Sequence, residues 1–141
     1  MTLTLSKSTI SCRAAGLLLD AAEAASREAG LAMCIAVVDE GGVTKAFRRM
    51  DGAPLLSVDL AVDKAYTAVS FSMPSHAWFD FIKDDPPLLN GIIKTPRLVV
   101  YGGGYPVTID GAIVGGIGVS GGHYEQDMKV AEAALAALAK A

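Results

Sequence analysis

The sequence predicts an α+β domain built on an antiparallel sheet, and three features carry that prediction. Alanine-rich segments with apolar residues at helical spacing open and close the chain. Two pairs of apolar runs lie between them, joined by the turn signals Gly41-Gly42 and Asp110-Gly111. Such short turns require antiparallel pairing, and helices set apart from an antiparallel sheet define the α+β class.

The first helix is expected over Ser6 to Ala29, proline-free and apolar at Ile10, Ala14, Leu17, Leu18, Ala21 and Ala25, with Gly30 where a C-terminal cap belongs. "LAMCIAVVDE" is a continuous apolar strand from Ala32 to Asp39, and Val43 to Met50 is its return. "DGAP" breaks that strand, and Leu55 to Phe71 is helical again, apolar at Val58, Ala61, Val62, Ala65 and Val69. A short helix follows, with Ser72 as its cap, Pro74 in its first turn and Pro86-Pro87 as its stop. "RLVVY", Arg97 to Tyr101, reads as a strand. Pro106 to Ile109 and Ala112 to Val119 form the second hairpin, and Tyr124 to Lys140 the last helix. The expected order is α-β-β-α-α-β-β-β-α.

With 141 residues the chain has the length of one domain. Hydrophobic residues make up 52% and charged ones 19%, with a mean hydropathy of +0.41. No apolar run reaches the roughly 18 residues of a membrane span, so the surplus is expected in a core and in contacts between subunits of a homo-oligomer. A net charge of −3 and no basic patch argue against nucleic acid as a partner. Cys12 and Cys34 show no metal-ligand spacing and suit a reducing cytoplasm. The N-terminal residues show no basic-then-apolar signal, which agrees with a cytoplasmic location.

"VGGIGVSGGHYEQD" contains Gly116-x-Gly118-x-x-Gly121. A dinucleotide fingerprint also needs a second parallel strand and an acidic residue about 20 positions on. Only one helical segment follows, so the glycines are expected to serve a strand-to-helix turn and close packing. Gly118-Val119-Ser120-Gly121-Gly122 fits the G-x-S-x-G pattern, but an elbow of that kind needs a parallel sheet and an acid before a histidine. The helix start after the glycines offers free N–H groups to an anion, with His123 beside it.

Three further residues are candidates for chemistry. His76 and His123 are each able to ligate a metal as neutral imidazole, although the ordinary reading of either is a solvated or helix-end histidine. Lys64 is a possible amine nucleophile if desolvated. Its ordinary reading is a lysine that reaches water, flanked by Asp59 and Asp63.

The segments "RMDGAP", "DKAYTAVSFSMPS", "YGGGYPVTIDGAIVGGIGVSGG" and "EQD", in that order, resemble the GlcG/HbpS-like family, also called the haem-degrading or DUF336 domain. The resemblance covers nearly the whole chain. It implies a profilin-like fold with a five-stranded antiparallel sheet flanked by helices, and homo-oligomers. It also implies haem or another tetrapyrrole as ligand, in haem handling or redox sensing. The alternative it leaves is an enzyme or accessory protein for a small organic acid or carbonyl compound. Members that bind haem place an axial or near-axial group in the segment matching "MPSHA". That directs attention to Ser75, with His76 beside it and Lys64 and Phe71 nearby in the matching segment; by the chemistry of its imidazole, His76 is the expected metal ligand. Family members usually carry a short residue where this chain has His123.

Overall fold

The computed structural model describes residues 1–141. The helices are α1 (Cys12–Glu28), α2 (Ser57–Ser70), α3 (Ala77–Ile82), α4 (Pro86–Gly91) and α5 (Tyr124–Ala139). The strands are β1 (Cys34–Asp39), β2 (Thr44–Arg49), β3 (Gly104–Ile109) and β4 (Ala112–Ser120). They form one antiparallel sheet in the order β2-β1-β4-β3. The α+β class is as the sequence predicts, but the sheet has four strands, not five. No helix is long and apolar enough to cross a membrane.

The two faces of the sheet are built from different residues. Ile35, Val37, Val107, Ile117 and Val119 lie on one face and join Leu18, Leu19, Val130 and Ala131 of α1 and α5 in the main core. Burying a side chain of this size stabilises by roughly 1.5–3 kcal/mol. The other face carries Cys34, Ala36, Gly104, Gly116 and Gly118, and α2 lies on it. A Cβ on Gly118 would strike the carbonyl oxygen of Ala61, and one on Gly104 would strike that of Lys64. On Gly116 it would sit 2.6 Å from the carbonyl oxygen of Ala65. The glycines are therefore a floor bare enough for a helix backbone to rest on.

The hairpins form where expected. Asp39 Oδ1 accepts from the backbone N–H groups of Gly41 and Val43 at 2.9 and 3.0 Å. Asp110 and Gly111 both have positive φ, as a type I′ turn requires. Helix α1 begins later than expected, at Cys12, because Ser11 caps it by accepting from Ala14 N at 3.0 Å.

Three expectations are corrected around the middle of the chain. "RLVVY" is not a strand: Val99 N donates to the Thr67 hydroxyl at 3.0 Å instead of to a neighbouring strand. Ser72 does not cap α3; it sits at φ 54° in the turn after α2, and His76 occupies the N-cap position. Pro86-Pro87 do not merely stop a helix but open α4, where Asp85 accepts from Leu88 N, because a proline in the first turn gives up no helical hydrogen bond.

Candidate functional site

The turn after α2 is fastened to β3 through Ser75. Its N–H donates to Gly104 O at 2.9 Å, and its hydroxyl accepts from Gly104 N at 2.9 Å. Ser75 is fully buried, so its hydroxyl is a fastening rather than a free group. The next residue, His76, is thereby set against Gly102, whose added Cβ would lie 3.5 Å from His76 Cβ.

A cavity of about 370 Å³ opens here, lined by His76, Phe79, Val100, Tyr101, Gly102 and Tyr124. Its walls come from α3, the segment before β3 and the first turn of α5. His76 Nδ1 is buried and has no hydrogen-bond partner. A buried polar atom left unpaired costs about 1–3 kcal/mol. The Tyr101 and Tyr124 rings stand 6.2 Å apart between centroids.

Lys64 lies behind Tyr101. Contrary to the expectation of a lysine reaching water, it is 1% exposed. Its ammonium donates to Asp127 Oδ2 at 2.8 Å and to Val119 O at 3.0 Å, and sits 5.3 Å from the centre of the Tyr101 ring. Burial pulls the Lys64 pKa below that of an ordinary lysine, against the opposing pull of Asp127. Burial and the Asp127 charge both push the Tyr101 phenol upward. The second Asp127 oxygen accepts from Gly122 N at 2.9 Å, tying the turn before α5 to α2.

The other sequence candidates lie elsewhere. Phe71 is largely exposed and packs edge-on against Trp78 at 4.8 Å, in a different cavity. His123 is exposed and caps α5: its Nδ1 accepts from Glu125 N at 3.2 Å, while Gln126 Oε1 accepts from His123 N at 3.0 Å. With Gly122 N held by Asp127, the anion-receptive helix end expected there is filled by the protein's own side chains. The His123 ring lies 4.1 Å from that of Tyr124, one step from the His76 cavity. No three histidine, cysteine or carboxylate groups come together to hold a metal ion. Sequence reasoning missed Phe79, Tyr101 and Tyr124 as cavity residues and Asp127 as the partner of Lys64. The one available signal was Tyr101, placed directly before the glycine run.

Residues 10–136 match the family described as haem degrading protein HbpS-like. The chain belongs to the HbpS-like family. Among its relatives is an uncharacterized 15.0 kDa protein from the dhaT-dhaS intergenic region of Citrobacter freundii. It is 38% identical over 128 residues, or 90% of each chain. The corrinoid adenosyltransferase PduO of Salmonella typhimurium is 38% identical over 106 residues, 74% of this chain. The matching region is only 31% of PduO's own length. Among solved structures, Klebsiella pneumoniae ORFY, described as DUF336, superposes with a TM-score of 0.94 at 32% identity, covering 100% of this chain and 98% of its own. PduOC, solved as a haem complex, superposes with a TM-score of 0.84 at 34% identity, covering 92% and 94%.

Proposed function

We propose that this HbpS-like protein binds haem in the cavity beside His76. The observation that carries the reading is the half-buried His76 imidazole in the wall of an aromatic-lined cavity, with its Nδ1 buried and taken up by no other group. The residues present fit the group. Imidazole and phenol are both protein ligands of haem iron, and Phe79, Tyr101 and Tyr124 offer flat apolar surface to a macrocycle. The relative solved with haem supports the same reading.

In this reading His76 would hold the iron through Nε2, since its Nδ1 is buried. Ser75 and Gly104 fix the approach of His76, and Tyr101 forms a wall held from behind by Lys64 and Asp127. Bound haem would supply a redox-active iron. The chain's own part is to hold it, shield one face from water and set its ligand, as haem handling or redox sensing requires. The unpaired thiols of Cys12 and Cys34 support a reducing, cytoplasmic setting.

The test is a titration with haemin followed in the Soret region. The wild type should give a saturable, shifted band, and His76→Ala should move that band and weaken binding at least about tenfold, the effect of losing some 1.4 kcal/mol. No specific band in the wild type would refute haem binding. An unchanged band in His76→Ala would remove His76 as the ligand.

A further inference from the structure

The outer strand β2 carries a basic and aromatic patch that the rest of the chain leaves open. Phe47 and Arg49 lie directly opposite Ala36 and Cys34, so they share the face of the sheet on which α2 rests. Helix α2 packs chiefly on β4, β1 and β3, and Lys45, Phe47 and Arg49 are all exposed. On the opposite face Arg48 is taken up by Asp20 and Glu23 of α1, at 2.8 Å each. Neither Lys45 nor Arg49 joins an ion pair.

A patch of the opposite charge lies at the other edge of the sheet. The segment leading into α3 is tied to β3, the second outer strand, through Ser75 and Gly104. Phe81 of α3 is 62% exposed. Asp80 adjoins it, and Asp84 and Asp85 lie in the turn that follows, all three exposed. The one base in this corner is Lys83, paired with Asp80 at 3.3 Å. Asp85 caps α4 with one oxygen, and Asp84 joins no ion pair.

We propose that the two patches are the two halves of one head-to-tail contact, in which β2 of one copy of the chain receives the α3–α4 corner of a second copy. Phe81 packs against Phe47, and Lys45 and Arg49 face the acids around Phe81. An aromatic centre with a charged rim is the usual anatomy of such a contact, and the opposite signs of the two rims select this pairing and its register. The charges also reject the obvious alternative. Two β2 strands paired edge to edge about Phe47 would set Lys45 of one copy against Arg49 of the other. Like charges directly opposite destabilise a sheet, and lysine on an outer strand guards against such pairing. Since the patches lie on different elements at opposite edges of the sheet, the contact is heterologous, and each copy keeps one free patch until a ring closes. The contact needs no haem.

Sedimentation of charge-reversed variants without haemin tests the proposal. Lys45→Glu/Arg49→Glu and Asp80→Lys/Asp84→Lys should each sediment at a lower mass than the wild type. An equimolar mixture of the two should regain mass, because the reversed patches match one another, and a chain with all four substitutions should regain it alone. The four residues are exposed, so circular dichroism should stay that of the wild type. Lys45→Gln/Arg49→Gln, which adds no charge, should weaken association about tenfold. A wild type that stays at 14.5 kDa across the micromolar range overturns the proposal and leaves the patches to unrelated partners. Variants that keep the wild-type mass overturn it as well. A mixture and a four-substitution chain that both stay dissociated refute the pairing of these two patches. Since haemin is absent throughout, failure here leaves the haem reading standing, and the reverse holds too.

Discussion

Lys64 places a positive charge where water does not reach, and the fold accepts it because Asp127 and Val119 O meet it there. Removing one partner of a buried pair strands the other's charge, which costs about 3–5 kcal/mol, whereas replacing both by apolar groups is often close to neutral. Lys64→Met should therefore be severely destabilised in urea unfolding, and Lys64→Met/Asp127→Leu should recover most of the loss. Equal destabilisation of the two variants would show that the charge pair is not the cause. The burial of Lys64 was not legible in the sequence. Asp59 and Asp63 suggested a solvated helix face, yet Asp63 pairs with Arg97. No spacing rule joins Lys64 to Asp127, because only the packing of α2 on the sheet brings them together. The capping by His123 was legible in principle: a cap residue followed three positions later by Gln126 is the pattern of a reciprocal cap.

At the scale of the element, the contact between α2 and β4 is set by what the glycines lack. Gly118→Ala should cost about 3 kcal/mol or more, since the new methyl meets the backbone carbonyl of Ala61, which cannot step aside without moving the helix. Gly16→Ala, inside α1 with nothing within 4 Å of the new methyl, should instead gain roughly 0.5–1 kcal/mol from helix propensity. Thermal unfolding of the two variants beside the wild type checks both signs, and a neutral Gly118→Ala would contradict the close contact. The sequence foretold close packing at these glycines but not its partner. Both hairpins were legible because their turns are local. "RLVVY" was misread because an apolar run names no hydrogen-bond partner, and here Val99 turns to the side chain of Thr67.

At the scale of the whole molecule, Leu55, Leu56, Phe81 and Ile93 each keep more than half of their surface exposed. The homo-oligomer expected from composition would cover side chains of this kind. Light scattering at micromolar concentration should give a mass that is a multiple of 14.5 kDa, and Phe81→Asp should lower it. A clean monomer in the wild type would exclude self-association. The α+β class and the family were legible at this scale because the motifs recur in order along the chain. The cavities were not, because each gathers residues that only the folded backbone brings side by side.

The strand order also dictates a sequence of events. Each hairpin closes over a few residues, but the seam between them sets Cys34 opposite Ser120 and Asp39 opposite Gly115. Closing so long a loop costs entropy before any contact repays it, and folds rich in such contacts assemble slowly. The glycines of the β3–β4 hairpin are in place before that seam, but Cys34 and Ala36 join them to complete the face under α2 only when it has formed. The ammonium of Lys64 reaches Val119 and Asp127 only with α2 in place, which makes burial of that charge one of the closing steps of assembly.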